Sequence, residues 1–226
     1  MTSMIARYVG MGLLAAAALG CDPAEERREA EASAPRAESG RSRIVFLGTS
    51  LTAGLGLDPD QAFPALIQQK LDSAGLPYLA VNAGVSGETS AGARRRADWL
   101  FQQPVAVLVV ETGANDGLRG QNVDSLRANI QAIVDRARRQ SPPPRIVLLG
   151  MQAIPNYGLA YARQFRQVYP ELADKNELSL VPFLLQGVVG VDSLNQADMI
   201  HPTAAGQRRM AETVWEVLRP IVEESV

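Results

Sequence analysis

The chain has 226 residues, of which 46% are hydrophobic and 20% charged, and its formal net charge is −2 at pH 7. This length and apolar content are enough for the core of one ordinary domain. The absence of a basic stripe and of zinc-type Cys and His spacing argues against nucleic-acid binding. The single cysteine, Cys21, excludes an intramolecular disulfide, and the single histidine, His201, excludes a His-rich metal site.

The N-terminus has the pattern of a targeting sequence. Arg7 precedes an apolar, small-residue run from Tyr8 to Gly20, which is short for a membrane span and typical of a signal peptide. Ala18-Leu19-Gly20-Cys21 resembles the lipobox of bacterial lipoproteins, which implies cleavage before Cys21 and its acylation. We therefore predict a signal peptide (1–20) and a lipid-anchored flexible tether (21–41) that holds the protein at a membrane of the bacterial cell envelope, facing the periplasm or the exterior. Secretion after a nearby cleavage is the alternative.

From residue 42 to residue 226 the chain predicts one domain of alternating strands and helices. Apolar, β-branched runs predict five strands, at 44–47, 78–81, 105–110, 145–149 and 178–182. Apolar residues at helical spacing predict helices at 61–73, 89–101, 122–140 and 159–173, and a last helix from about 203. This alternation predicts an α/β fold, a three-layer α/β/α sandwich on a five-stranded parallel sheet of flavodoxin-like order 2-1-3-4-5.

The first strand runs into a turn of small residues, in the sequence RIVFLGTSLTAG, and so presents Ser50 at the carboxyl edge of the sheet. A ligand site on such a sheet lies where the strand order reverses, here between the first and third strands. Asn115 follows the third strand, so the two polar loops are expected to converge. A capping residue in an ordinary strand-to-helix turn is the simpler interpretation of Ser50 on its own.

Asp198 and His201 lie three residues apart, immediately before the last helix. Hydrolysis by a serine needs a base bonded to the hydroxyl and a carboxylate that fixes the imidazole tautomer, and this pair can supply both. The reaction also needs hydrogen-bond donors for the oxyanion, which the backbone of Gly84, the amide of Asn115 and the N–H of Ser50 can provide. Each of these residues could instead be ordinary turn chemistry, but their occurrence in four loops at one sheet edge favours catalysis.

Four sequence blocks resemble those of the SGNH (GDSL-type) hydrolase superfamily, and the match covers residues 43 to 221. The blocks are Gly48-Thr49-Ser50-Leu51, the Gly84 loop, Gly113-Ala114-Asn115-Asp116, and Asp198-Met199-Ile200-His201-Pro202. The chain is most similar to the thioesterase I/lysophospholipase L1/arylesterase branch, through residues 115–120, residues 156–158 and the spacing of the blocks.

The resemblance implies that Ser50 is the nucleophile, that Asp198 and His201 complete a triad, and that Ser50, Gly84 and Asn115 form the oxyanion hole. It implies no metal and no organic cofactor. One position departs from the family pattern, because Thr49 stands where the family has Asp. Activity is still expected, with hydrogen bonds around the turn supplied by a hydroxyl.

Other catalytic families fit the sequence less well. The α/β-hydrolase motif G-x-S-x-G requires glycine where Thr52 stands, and that fold usually places its Asp and His on different strand ends. Neither a dinucleotide-binding G-x-G-x-x-G nor a P-loop motif is present.

The leading hypothesis is a serine esterase that cleaves carboxylic esters or thioesters of small-molecule or lipid acyl substrates through an acyl-enzyme. Arylesterase, thioesterase and lysophospholipase activities fall within it. Loop residues expected to line the acyl pocket are Ile154, Tyr157, Leu184 and Leu185. The alternatives are an envelope carbohydrate deacetylase or acyltransferase and, from another class, a non-catalytic lipid-anchored binding protein. The pattern specifies neither the acyl-chain length nor the oligomeric state.

Overall fold

The computed structural model describes residues 40–224. The predicted signal peptide, Cys21 and most of the predicted tether therefore lie outside the described residues. Within residues 40–224, no helix has both the length and the apolar character needed to cross a membrane.

The centre of the domain is a five-stranded, all-parallel sheet in the order β2-β1-β3-β4-β5, which confirms the predicted order. Pro and Gly are absent from the strand interiors, and two of the three interior strands, β1 and β3, are almost completely buried, as their apolar runs predict. The strands are β1 Ser42–Gly48, β2 Tyr78–Gly84, β3 Val107–Glu111, β4 Arg145–Leu149 and β5 Ser179–Val181.

Helices form two layers around this sheet. α2 packs against α7, while α3, α5 and α6 pack side by side, as right-handed crossovers between these strands require. Each helix buries its apolar stripe, and Asn122 caps α5 by accepting a 2.9 Å bond from the Ser125 N–H. The α-helices of residues 40–224 are α1 Ser50–Ala53, α2 Phe63–Ser73, α3 Ser90–Leu100, α4 Ala114–Leu118, α5 Val123–Ala137, α6 Leu159–Asn176 and α7 Ala204–Glu223.

Several element boundaries differ from the sequence prediction. α2 begins at Phe63 rather than residue 61, because Pro59–Gln61 forms a separate 3₁₀ turn. β3 begins two residues later than predicted, and the Val105 N–H donates to the side chain of Gln140 at 3.2 Å. The short helices α1 and α4 were not predicted, since four or five residues are too few to show a helical period.

The order of the strands brings the ends of β1 and β3 together. These strands pair in parallel register, with Phe46 beside Val109 and Leu47 beside Val110. α1 begins two residues after β1, and α4 begins three residues after β3, so Ser50 and Asn115 both lie at the carboxyl edge of the sheet. This is the switch point at which a site is expected.

Candidate active site

Ser50 is placed by a tight turn between β1 and α1. Thr49 has an extended backbone (φ −104°, ψ −151°), and Ser50 is the first residue of α1, so its N–H has no partner within the helix. The turn is crowded: a Cβ on Gly48 would lie 1.8 Å from Thr52 Oγ1. Only glycine therefore fits at position 48, and the serine side chain is held at the sheet edge with 8% exposure.

Ser50, His201 and Asp198 form one chain of hydrogen bonds. His201 Nε2 lies 3.0 Å from Ser50 Oγ, and His201 Nδ1 lies 2.6 Å from Asp198 Oδ2. An ionised carboxylate can only accept, so the proton of a neutral imidazole resides on Nδ1 and leaves Nε2 free to accept from the serine hydroxyl. This is the geometry that activates a serine for attack on a carbonyl carbon.

The Asp198 carboxylate is held from its other side by the backbone. Its Oδ1 accepts hydrogen bonds from the N–H groups of Ile200 and His201, each at 3.0 Å. The hydrogen bond from the His201 ring, followed by these backbone bonds, lowers the pKa of Asp198 from 3.8 to about 2. The turn between the two residues places Met199 in the left-handed region, with φ at 57°.

A second set of hydrogen bonds ties this loop to the loop after α1. The Gln196 N–H donates to the His201 carbonyl at 2.7 Å, and Gln196 Nε2 donates to the carbonyls of Leu55 (2.7 Å) and Pro202 (3.0 Å). Because Leu55 closely follows α1, this side chain connects the histidine loop to the segment that carries Ser50.

Three hydrogen-bond donors border the groove next to Ser50 Oγ. The Ser50 N–H is free as the first donor of α1. Asn115 uses one amide hydrogen to bond the Glu88 carbonyl at 3.0 Å, which fixes the amide and leaves its second hydrogen available. Gly87, at φ +76°, lines the same groove as Ser50, Asn115 and His201. Gly87 was not predicted from the sequence, although Ser86-Gly87-Glu88 lies between β2 and α3, in the region expected to supply a backbone donor.

Gly84, the glycine predicted for the oxyanion hole, does not line the groove. It is the last residue of β2, paired with Gly48, and its N–H donates to Asn82 Oδ1 at 2.9 Å. A Cβ at this position would lie 2.3 Å from the Ala53 backbone nitrogen. Glycine is required at position 84 because the end of β2 packs directly against α1. Of the two glycines, it is Gly87 that lines the groove.

An apolar groove of about 370 Å³ opens beside the serine. Of the four predicted pocket residues, Ile154 and Leu185 line it. Leu184 does not, because it is fully buried in the core, and Tyr157 does not, because its ring packs on Tyr161 instead. The apolar lining residues are Leu51, Leu55, Ala114, Leu118, Met151, Ala153, Ile154, Phe183, Leu185, Val189, Met199 and Ile200.

Glu111 is a buried carboxyl group that bonds the nucleophile turn, and the sequence did not predict this role. Glu111 is 1% exposed, and its Oε2 accepts bonds from the Thr49 N–H (2.7 Å), Thr49 Oγ1 (2.9 Å) and Thr52 Oγ1 (2.9 Å). Burial raises the pKa of Glu111 above its usual value, and the bonds from Thr49 and Thr52 oppose this. The hydroxyl of Thr49 thus bonds a carboxyl group contributed by β3, which accounts for threonine at this position.

We expect replacement of Glu111 to destabilise the nucleophile turn to an extent that depends on the substitute. Glu111→Leu removes the acceptor of three buried donors, each of which costs about 1–3 kcal/mol when left unpaired. Glu111→Gln keeps one acceptor oxygen and should lose much less. Urea unfolding of both variants measures the difference, and equal stability of Glu111→Leu and the wild type would contradict the interpretation.

The free energy of unfolding of the wild type relative to Glu111→Gln should change with pH in a predictable direction. A carboxyl group whose pKa is raised on folding binds more protons in the folded state, so its contribution to stability falls as pH rises from 4.5 towards the raised pKa. The stability of Glu111→Gln relative to the wild type is therefore expected to increase over that interval.

Within residues 40–224, no cluster of three or more His, Cys, Asp or Glu side chains could hold a metal ion. The groups placed next to the groove are those of acyl transfer: a hydroxyl, an imidazole, a carboxylate and an amide.

Comparison with known proteins shows the family of the chain. Residues 46–209 match the model of the GDSL-like lipase/acylhydrolase family. Esterase TesA of Pseudomonas aeruginosa is 42% identical over 180 residues, which cover 79% of this chain and 89% of TesA. An arylesterase of Vibrio mimicus is 30% identical, over 80% of this chain and 90% of that protein.

A solved structure shows the same relationship in three dimensions. The psychrotrophic esterase EstA of Pseudoalteromonas, in a form inhibited by monoethylphosphonate, aligns with a TM-score of 0.75 and 30% identity. The alignment covers 80% of this chain and 99% of EstA. The chain therefore belongs to the GDSL-like lipase/acylhydrolase family of ester-hydrolysing enzymes.

Proposed function

We propose that Ser50, His201 and Asp198 are the catalytic triad with which this serine esterase cleaves acyl esters and thioesters. Ser50 Oγ attacks the carbonyl carbon while its proton passes to His201 Nε2, and that proton then goes to the departing alcohol or thiol. Water, deprotonated by the same imidazole, releases the carboxylic acid from the acyl-enzyme. The observation that carries this proposal is the unbroken hydrogen-bonded chain from Asp198 to Ser50.

The proposed oxyanion hole consists of the Ser50 N–H, the Gly87 N–H and the Asn115 amide. All three residues line the groove at the serine, and two of the donors are backbone groups that need no reorganisation during the reaction. Gly84 is not part of this set, because Asn82 already accepts its N–H.

The proposed substrates are esters whose acyl group is apolar. Twelve of the residues that line the groove next to Ser50 have aliphatic, methionine or phenylalanine side chains, and His201 bonds the serine at one end of it. The names of the relatives, an esterase and an arylesterase, agree with ester bonds as the target. Burial of each acyl methylene in such a groove is worth about 0.8 kcal/mol.

A charge introduced into the groove wall tests this substrate class. Ile154 lines the groove and is 46% exposed, so Ile154→Asp should fold normally. We expect kcat/KM for p-nitrophenyl hexanoate to fall roughly tenfold or more, and that for p-nitrophenyl acetate to change little, because only the longer chain contacts the wall. Thioester counterparts measured in parallel compare the two leaving groups.

Leu159→Asp is the matched control. Leu159 is 76% exposed and lies five residues from Ile154, but it does not line the groove. Its substitution should leave the ratio of hexanoate to acetate hydrolysis unchanged. Equal effects of the two variants on that ratio would show that the acyl chain does not occupy this groove.

We also propose that acylated Cys21 anchors the enzyme at the bacterial cell envelope. The support is the lipobox-like Ala18-Leu19-Gly20-Cys21 alone, which lies outside the described residues. Intact mass of the mature protein from the membrane fraction tests this, since an unmodified N-terminus or a chain found only in the medium would contradict it.

A further inference from the structure

A second cavity, of about 380 Å³, lies at the carboxyl-terminal end of β2. It is bounded by residues 81–85 at the end of β2 and by the C-terminal part of α3 and the loop that follows it. It shares no lining residue with the groove at Ser50. We call it the β2-edge cavity, because β2 is the edge strand of the sheet.

The wall of this cavity is cationic. Two of its lining residues are arginines and none is Asp or Glu. Arg96 is already neutralised: it bonds both carboxylate oxygens of Glu88 at 2.8 and 2.9 Å and also donates to the carbonyls of Gly48 and Ala83. Arg96 is therefore a structural residue, and the charge of Arg43 is the one left without a counter-charge in the wall.

Arg43 has no hydrogen bond from its guanidinium to any of residues 40–224. Its Nη1 is shielded by the surrounding protein and has no acceptor there, and the side chain takes part in none of the ion pairs of these residues. A shielded donor on a charged group costs free energy unless an acceptor reaches it. The guanidinium fork matches two oxygens of a carboxylate or phosphate.

Two of the lining residues offer exposed apolar surface. Trp99 is 67% exposed, which is unusual for a large aromatic side chain, and Val85 is 44% exposed. The amide side chains of Asn82, Gln102 and Gln103 also line the cavity. An indole ring at the edge of a cationic cavity can stack on the apolar or aromatic part of an anionic ligand.

We propose that the β2-edge cavity is a second binding site, for a small organic anion. Its carboxylate or phosphate group bonds Arg43, and its apolar or aromatic part lies against Trp99. The site is distinct from the esterase groove and is independent of the role of Ser50.

Trp99 itself reports occupancy of this site. The chain contains two tryptophans, Trp99 and Trp215, so Trp215→Phe yields a protein with one indole, at the proposed site. The titrants are phenylacetate and phenyl phosphate, their small counterparts acetate and inorganic phosphate, and neutral benzyl alcohol. We expect saturable changes in Trp99 fluorescence with phenyl anions, at affinities roughly tenfold or more above those of benzyl alcohol. The phenylacetate and phenyl phosphate arms show which oxyanion the site prefers.

Arginine variants made in the Trp215→Phe protein assign the response. Arg43→Met should abolish it. Arg43→Lys keeps the charge and the stem on β1 but loses the fork, so it should weaken binding while folding normally. Arg95→Met is the matched control, since Arg95 is an exposed arginine of α3 that does not line the cavity.

The proposal is overturned by any of three results: no Trp99 response to either phenyl anion, equal affinity for benzyl alcohol, or unchanged affinity in Arg43→Lys together with Arg43→Met. If Arg43→Met fails to fold, Trp99→Leu, on the exposed side of α3, replaces it with calorimetry as the readout, and unchanged anion binding there would equally contradict the site. Ester hydrolysis measured on the same variants shows separately whether the groove at Ser50 is intact.

Discussion

Replacing Ser50 with alanine is expected to lower kcat/KM for a p-nitrophenyl ester by about 10⁴- to 10⁶-fold. The variant retains the free N–H of position 50 and the apolar groove, so the substrate still binds and KM should change little. What is lost is the hydroxyl that bonds His201 Nε2 at 3.0 Å, and with it the acyl-enzyme. Steady-state kinetics with the acetate and hexanoate esters measures both effects.

Active-site labelling separates loss of chemistry from loss of fold. A fluorophosphonate probe should modify the wild-type enzyme at Ser50 and leave Ser50→Ala unlabelled, while the two proteins unfold at similar urea concentrations. Ser86→Ala is the control, because Ser86 is an exposed serine next to Gly87 with no hydrogen bond to its side chain among the described residues. Turnover that persisted in Ser50→Ala, or labelling of another serine, would overturn the assigned nucleophile.

The fold was predictable because it depends on local pattern. Each strand is an apolar, β-branched run and each long helix has an apolar stripe, and strict alternation of the two leaves few topologies for a parallel sheet. The hydrogen-bonded chain of Ser50, His201 and Asp198 was predictable for a related reason: the one histidine of the sequence stands three residues after an aspartate, and Ser50 follows a strand at the expected edge of the sheet. The family blocks supplied the same residues independently.

The predictions that were wrong, and the residues that were not predicted, depend on which polar groups already have hydrogen-bond partners in the fold. Gly84 ends β2 and Gly87 lies three residues further on, and only the structure shows that the N–H of Gly84 already donates to Asn82. Glu111 ends a hydrophobic run, and its burial against the hydroxyls of Thr49 and Thr52 arises from strand pairing over a separation of about 60 residues. Such contacts between distant segments leave no periodicity in the sequence.

The same dependence on hydrogen bonds between distant segments explains why Leu185 lines the groove and Leu184 does not. Leu184 and Leu185 are adjacent and chemically identical, so no composition argument can tell them apart. The Leu184 N–H bonds the Gly150 carbonyl at 2.9 Å, which directs its side chain into the core and leaves Leu185 facing the groove. Assignment of a loop residue to the core or to the site therefore required the backbone hydrogen bonds.

Replacing Asp198 with asparagine is expected to lower kcat by about 10⁴-fold, the size of effect that the same change has in serine proteases. Two backbone N–H groups, of Ile200 and His201, point at the Asp198 Oδ1 position. The amide oxygen of an asparagine would take that position, and its NH₂ would then donate to His201 Nδ1. The ring would be forced into the tautomer with its proton on Nε2, which cannot accept from Ser50.

Two further measurements distinguish this tautomer effect from a loss of structure. Asp192→Asn, in the same loop at an exposed position, should leave kcat unchanged.

Acid unfolding is the second measurement. Since the pKa of Asp198 falls from 3.8 to about 2 on folding, its carboxylate contributes stability above pH 3.8, and this contribution disappears as the pH falls through about 2. The stability gap between the wild type and Asp198→Asn should therefore shrink over that interval, and a gap that widened as the pH fell would contradict the assigned hydrogen bonds. An Asp198→Asn enzyme with near-normal kcat would show that the carboxylate does not set the tautomer of His201.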